Sequence, residues 1–241
     1  MNDLETRADP YAFPWRRLRD GVIAAGLRDT LAHDRRTAGI VLDVTVRGGV
    51  AHVAGEVDSE AQRRLLRGLL RRQAGLFAVW DRIGIAGQRL EVLDIGCGAT
   101  KQVPGAIGLD SEAGPGVDCV ADLEARLPFA DDRFDHIFAV HVLEHIRDLV
   151  GLMRELHRIL RPAGVMHVLS PNWRFVNAVA DPTHCRFMDV QTMKYFCGAK
   201  PGVPPWRPLS TGQAEDNIFA DMQPVKAGPP ANGDELARWF T

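Results

Sequence analysis

Cysteine is scarce and unpaired in this 241-residue chain: Cys97, Cys119, Cys185 and Cys197 show no C-x-x-C spacing. So few thiols cannot staple a chain of this size, which excludes a disulfide framework and fits reduced thiols in the cytoplasm. Long apolar runs are missing as well; none approaches the ~20 residues that a membrane helix needs. The first residues are polar and acidic, with no basic stretch leading into an apolar one, so no export signal is expected. A strong charge of either sign is absent, and the formal net charge of −2 argues against wholesale nucleic-acid binding. Lysine is absent from residues 1–88, where fourteen Arg face eleven acids. Residues 89–241 carry fifteen Lys or Arg against twenty acids. The expected location is cytoplasmic, with peripheral association at a membrane surface left open.

What is present divides the chain into two parts with different periods. Residues 1–14 are polar and end in Pro10 and Pro14, which reads as a flexible tail. Residues 15–87 form a small α+β domain of order αββαβ. Leu18, Val22, Ile23, Leu27 and Leu31 recur at helical spacing from about Trp15 to Asp34. Ile40 to Arg47 alternates at strand period, Gly48-Gly49 signals a hairpin, and Val50 to Val57 makes a second strand. Asp58-Ser59-Glu60 caps a second helix with an apolar face at Leu65, Leu66, Leu69 and Leu70, ended by Gly75. Leu76 to Ile85 is the third strand. Arg63, Arg64, Arg67, Arg71 and Arg72 give the second helix a basic side, read chiefly as a solvated face and otherwise as a dock for acidic headgroups.

From residue 88 to 241, strands alternate with helices and loops, which predicts a mainly parallel sheet. The strand candidates are residues 90–95, 105–110, 117–121, 134–140 and 164–169. Asp148 to Leu160 forms an amphipathic helix stopped by Arg161-Pro162-Ala163-Gly164. Ligands of such sheets bind beyond the carboxyl ends of the strands. Asp94 with Gly96 and Gly98, then Asp110, Asp122 and His141, stand at four such ends. Glycines there let the backbone close on a ligand, and an acid on the next strand is placed to accept from ribose hydroxyls. The third glycine of the dinucleotide fingerprint is missing, since Lys101 stands in its place.

Residues 90–172 resemble class I S-adenosylmethionine-dependent methyltransferases of the type 11 group. The resemblance is carried by Val92-Leu93-Asp94-Ile95-Gly96-Cys97-Gly98, Ile107-Gly108-Leu109-Asp110, and the Asp122-to-Phe129 run. It continues through Val140-His141-Val142-Leu143-Glu144-His145 and Glu155 to Gly164. It implies a Rossmann-like fold with S-adenosyl-L-methionine as cofactor. By the same resemblance the Gly96-Cys97-Gly98 backbone cradles the amino-acid end and Asp94 helps hold its ammonium. Asp110 takes the ribose, Asp122 the adenine amino group with Leu123 against the ring, and His141 completes the set. Only nine residues separate Gly98 from Gly108, too few for a full helix and a return to the sheet. This is the short form of the family, in which Lys101 either fills the gap beside the cofactor or lies exposed in the loop. Residues 15–87 resemble the BON domain through Asp20, the Val44-to-Val50 hairpin, Gly55-Glu56-Val57-Asp58-Ser59 and Gly75-to-Trp80. That resemblance implies an interaction module for an envelope surface or a protein partner.

His141-Val142-Leu143-Glu144-His145 also fits H-x-x-E-H, the zinc signature of inverted metalloproteases. That motif needs a helix beginning well before it, whereas here it follows an apolar strand, so no metal is assigned. Beyond the fifth strand, Asn172 and the run Asp181-Pro182-Thr183-His184-Cys185-Arg186 resemble a substrate segment. His145, Asn172, His184 and Arg186 are its candidate contacts, suited to a small polar or anionic acceptor. His141 and His184 are the candidate bases, because imidazole titrates near neutral pH. Residues 201–241 look short for a closing antiparallel hairpin, with 217–222 and 223–227 as separate strands. The expected function is methyl transfer to a sugar or envelope precursor. A cofactor-binding sensor or scaffold at the envelope is the alternative, and a zinc hydrolase the remote one.

Overall fold

A computed structural model describes residues 14–240, so the expected tail at 1–14 falls outside them except for Pro14. The described chain forms two units, divided between Leu90 and Glu91.

The first unit is an αββαβ arrangement. Helix α1 (Pro14–His33) begins at Pro14, where the ring's fixed φ and missing N–H suit a first helical turn. Strands β1 (Leu42–Arg47) and β2 (Val50–Val57) pair antiparallel, and β3 (Ala78–Ile85) runs parallel to β2. Asp20, buried on α1, accepts from the backbone N–H groups of Gly48 (2.6 Å) and Gly49 (3.1 Å) and so locks helix to hairpin. Ile23, Leu27, Val44, Val53, Leu66 and Ile83 build the core between helices and sheet.

Helix α2 (Glu60–Leu70) is capped by Ser59, whose Oγ accepts from Gln62 N. It ends at Leu70, five residues before Gly75. Its basic side is corrected by the structure. Arg63 and Arg67 each sit three residues before a core leucine, Leu66 and Leu70, so they share the inward face and are buried. Arg67 pairs with the fully buried Asp81 of β3 (2.8 Å), Arg71 approaches the same carboxylate (3.6 Å), and Arg63 pairs with Glu60 (2.5 Å). Only Arg64 and Arg72 remain exposed, which leaves neither a solvated basic face nor a five-arginine dock.

The second unit is a seven-stranded sheet built from β4 (Val92–Ile95), β5 (Ile107–Asp110), β6 (Cys119–Val120), β7 (Phe134–Val140), β8 (Leu160–Pro171), β9 (Trp206–Gln213) and β10 (Asn217–Pro224). The spatial order is β6-β5-β4-β7-β8-β10-β9, parallel from β6 to β8 with β10 and β9 antiparallel. This is the Rossmann-like α/β fold expected. Every residue of β7 is buried, as a central parallel strand requires. Helix α3 (Leu149–Ile159), capped by Asp148 on Gly151 N (2.8 Å), packs Leu152, Met153 and Leu156 into the core.

Two expectations change here. The chain passes from α3 directly into β8 at Leu160, so residues 161–164 are strand rather than a break. Pro162 is tolerated because the β7–β8 register shifts between Phe134 and His136. The C-terminal segment does close the sheet with an antiparallel hairpin, β9 and β10, and β10 is one strand through Pro224. Pro208 lies at the register shift opposite Asp221 and Met222, where a proline does little harm. Between Gly98 and Ile107 there is no helix, only turns. Short helices α4 (Val176–Ala180), α5 (Val190–Lys194) and α6 (Gly233–Ala237) complete the unit. Among the described residues no helix is long and apolar enough to cross a membrane.

Candidate functional site

The carboxyl ends of β4, β5 and β7 lie side by side, because β4 pairs with both of the others. The turn after β4 needs left-handed backbone at Gly96 (φ +62) and Gly98 (φ +55). These glycines serve different ends. A Cβ at Gly96 would meet Val142 Cγ2 at 2.6 Å, so the first glycine lets β7's exit loop close over the turn. A Cβ at Gly98 would meet nothing within 4 Å, so the second glycine opens onto free space. Gly96→Ala should therefore cost about 2–3 kcal/mol in a urea unfolding titration, since overlap and a disfavoured φ act together; an unchanged midpoint would contradict this packing.

Asp110, at the tip of β5, spans that turn. Its Oδ2 accepts from Gly98 N (2.8 Å), and Oδ1 accepts from Ser111 N (2.7 Å). The carboxylate is half-exposed and fixed in orientation, with lone pairs left to accept further hydrogen bonds. Asp94 is buried and accepts from Gln102 N at 2.5 Å, which holds the compressed 98–107 loop against β4. Burial pushes its carboxyl up to about 7, although the Gln102 N–H and the Lys101 charge both pull it down. Burial likewise pushes the Cys97 thiol up to about 11, so it is no nucleophile at neutral pH. Asp122 is exposed and accepts from Glu124 N (2.8 Å), beside the buried Leu123.

Lys101 is neither gap-filler nor loose surface residue: its ammonium pairs with Asp118, whose Oδ2 also accepts from Gly108 N (2.7 Å). Asp118 was not foreseen. Its signal, an acid just before a two-residue strand, is too short to read. The pair ties the loop after β4 to the segment before β6.

On the other side of the exit of β7, His141 has a left-handed backbone (φ +54), unusual for a residue with a side chain. Its Nδ1 lies 3.5 Å from Glu144 Oε1. Residues Leu143–His145 form a single 3-10 turn rather than an α-helix. His141 and His145 therefore do not share a helix face, and the inverted metalloprotease geometry is not there. Glu144, which the sequence offers only as the acid of the H-x-x-E-H run, is the hub of this corner. Its carboxylate is buried and accepts from Ser170 Oγ (2.8 Å), and its carbonyl accepts from the N–H groups of Cys185 and Arg186 (3.0 and 3.2 Å).

That clasp carries the post-strand segment to the site and brings His145 and His184 together, with ring centroids 4.7 Å apart. His184 Nδ1 is bonded to Ala178 O (3.0 Å). Two other candidates are spent on scaffolding. Arg186 donates to Ile146 O (2.9 Å) and Arg147 O (2.6 Å), so it staples the loop rather than presenting charge. Asn172 is buried, donates to Ala214 O (3.0 Å) and accepts from Arg174 N (3.2 Å), fixing β8 to the β9–β10 turn.

Residues 93–168 match the methyltransferase domain family. The chain is similar to the uncharacterized protein YafE of Escherichia coli K12, with 39% identity over 70 residues, covering 25% of this chain and 34% of that one. It is also similar to methyltransferase GfsG of Streptomyces halstedii, with 29% identity over 109 residues, 36% of this chain and 39% of that one. The chain thus spans little more than a third of the length of these curated relatives. Among solved structures, the YcgJ protein of Bacillus subtilis aligns at 21% identity and TM-score 0.40, covering 60% of this chain and 70% of that one. A SAM-dependent methyltransferase of Archaeoglobus fulgidus aligns at 22% and 0.38, over 55% and 66%.

Proposed function

We propose that this chain is an S-adenosylmethionine-dependent methyltransferase that acts on a small oxygen- or nitrogen-bearing acceptor, a sugar or an envelope-lipid precursor. One observation carries the reading. Asp110 is held by Gly98 N at the mouth of a glycine turn whose outer side is open, and the turn lies within the segment that matches the methyltransferase domain. The residues present fit the cofactor: a fixed carboxylate for paired hydroxyls, an open backbone cradle, and the acceptor Asp122 beside apolar Leu123.

When bound, S-adenosylmethionine supplies an electrophilic methyl group on a sulfonium. The chain's contribution is chiefly positioning and exclusion of water. Asp94 gives the amino-acid end a buried carboxylate, and His141, 3.5 Å from Glu144, is the candidate to take an acceptor proton. His184 and His145, whose rings adjoin, are the candidate contacts of the acceptor. The exposed apolar residues Trp173, Val176, Val179 and Phe187 of the same segment favour an acceptor with an apolar body over a free sugar. The BON-like unit at 15–87 serves targeting or interaction with an envelope or protein partner. The arginines of residues 63–72 contribute little to that role, because Arg63 and Arg67 are buried and Arg71 leans on the buried Asp81.

The test is titration of the full chain with S-adenosylmethionine, followed by detection of S-adenosylhomocysteine on adding pooled glycan and lipid precursors. Binding with turnover supports the reading; binding without turnover makes the chain a sensor; no binding overturns both. A pH dependence follows from Asp94. Near a cationic ammonium its ionised form is favoured, so affinity rises as the free protein deprotonates through about 7. Between about pH 6 and about pH 8 the affinity should increase roughly tenfold, the change in the ionised fraction. Asp94→Asn should flatten the curve in the same calorimetric series.

A further inference from the structure

We propose that Glu144, His145 and His184 form a binding site for one divalent transition metal, with Zn(II) the favoured ion. Each of the three offers one donor atom, and these atoms lie within 4.8 Å of one another. Two donors come from the turn after β7 and the third from 39 residues further along. The third is brought back by the N–H groups of Cys185 and Arg186 on the Glu144 carbonyl. Neither strand pattern nor the H-x-x-E-H spacing contains this trio.

The hydrogen bonds around the rings prepare them as ligands. His145 Nδ1 lies 3.3 Å from Thr183 O, and His184 Nδ1 lies 3.0 Å from Ala178 O. Thr183 Oγ1, 3.1 Å from His145 Nδ1, gives its own proton to Asp181 Oδ1 (2.6 Å), and a carbonyl only accepts, so each Nδ1 carries the proton and each Nε2 keeps its lone pair. This is the arrangement by which outer hydrogen bonds fix the tautomer of metal-binding imidazoles. Asp181 Oδ2, 3.7 Å from His184 Nε2, adds a second negative charge at the rim.

The carboxylate is also prepared. Glu144 Oε2 is taken by Ser170, but the buried Oε1 makes no hydrogen bond, with His141 Nδ1 its neighbour at 3.5 Å. Buried polar atoms are rarely left so, and a cation satisfies this one.

Two imidazoles and one carboxylate, with no thiolate in the set, suit a borderline ion such as Zn(II) and leave a fourth position open. Donors around a tetrahedral zinc stand roughly 3.4 Å apart, so the trio, within 4.8 Å, must draw in by up to about 1.4 Å on loading. His145 and His184 are only partly buried, on a turn and a loop, and have that freedom. The open position would take an oxygen of the acceptor, a hydroxyl or carboxylate. That role rests on the methyltransferase reading; the metal site itself does not.

The test is calorimetric titration of chelator-stripped full-length protein with zinc chloride, alongside the visible absorption of the Co(II)-loaded form. One equivalent of zinc is expected, with a Co(II) spectrum of low coordination number. His184→Ala should lose at least tenfold in zinc affinity, and His145→Ala likewise. His184→Asn, which retains a donor for Ala178 O, guards against a folding artefact and should lose as much while melting like the parent. Absence of stoichiometric zinc, or equal binding by parent and both alanine variants, overturns the site. A parallel titration with S-adenosylmethionine separates the two readings: cofactor binding without zinc removes the metal alone, and zinc binding without cofactor removes the methyltransferase.

Discussion

Asp110→Ala lowers the affinity for S-adenosylmethionine about 100-fold while leaving the fold intact. The carboxylate holds the second glycine of the turn through Gly98 N and is itself oriented by Ser111 N, so its remaining lone pairs are aimed before any ligand arrives. Hydrogen bonds to a charged group contribute roughly 1.5–3 kcal/mol each. Losing those to a ribose diol, together with the anchor on Gly98, amounts to about 3 kcal/mol, which is two decades in affinity. Asp110→Asn keeps one acceptor oxygen but no charge, and should fall between parent and alanine. Isothermal titration of the three proteins decides the matter, with the urea midpoint as the control for folding. An alanine variant that binds within threefold of the parent would remove Asp110 from the cofactor site. A variant that unfolds early would make Asp110 a loop anchor and nothing more.

The placement of Asp94 and Asp110 at neighbouring strand ends was legible because its determinants are local. Leu93 to Gly98 and Ile107 to Asp110 each end a strand, and period alone places both acids at neighbouring carboxyl ends. The small unit was legible for the same reason: the helix cap at Ser59 and the hairpin at Gly48-Gly49 are written in a few adjacent residues. What failed depends on partners distant in sequence. Arg67 looks like a surface arginine until Asp81, fourteen residues on, is placed beneath it. Arg186 looks like a substrate contact until its donors are found on the carbonyls of residues 146 and 147. Lys101 meets Asp118 only because β5 and β6 are neighbours. A polar residue on a loop carries no mark of whether its hydrogen bonds are already spent.

The largest loss of stability should come from Asp221→Ala, at about 3–5 kcal/mol by urea denaturation, for a reason that no single strand reveals. Asp221 is fully buried in β10 and accepts from His167 Nδ1 of β8 (2.8 Å) and from Ser210 Oγ of β9 (2.7 Å). His167 Nε2 in turn meets His136 Nδ1 of β7 at 3.0 Å. Asp221 stands directly opposite His167 and Ser210 in the two registers, while His136 is paired with Val165, two residues from His167. One hydrogen-bonded row thus crosses four strands on one face, β7-β8-β10-β9, at right angles to the chain. Read along the sequence, the same residues are isolated polar interruptions of apolar strands. Removing the carboxylate strands the buried ring N–H of His167 away from water and takes the acceptor from the Ser210 hydroxyl, and losing the acceptor of two donors in and beside the core typically costs this much. Ser210→Ala, which deletes one donor and leaves the His167 contact, should cost about 1 kcal/mol. If both variants unfold at the parent's urea midpoint, the row contributes nothing to holding the closing hairpin on the parallel sheet. A large loss for Asp221 alone would show that the hairpin is fastened there by its polar core as well as by its apolar one.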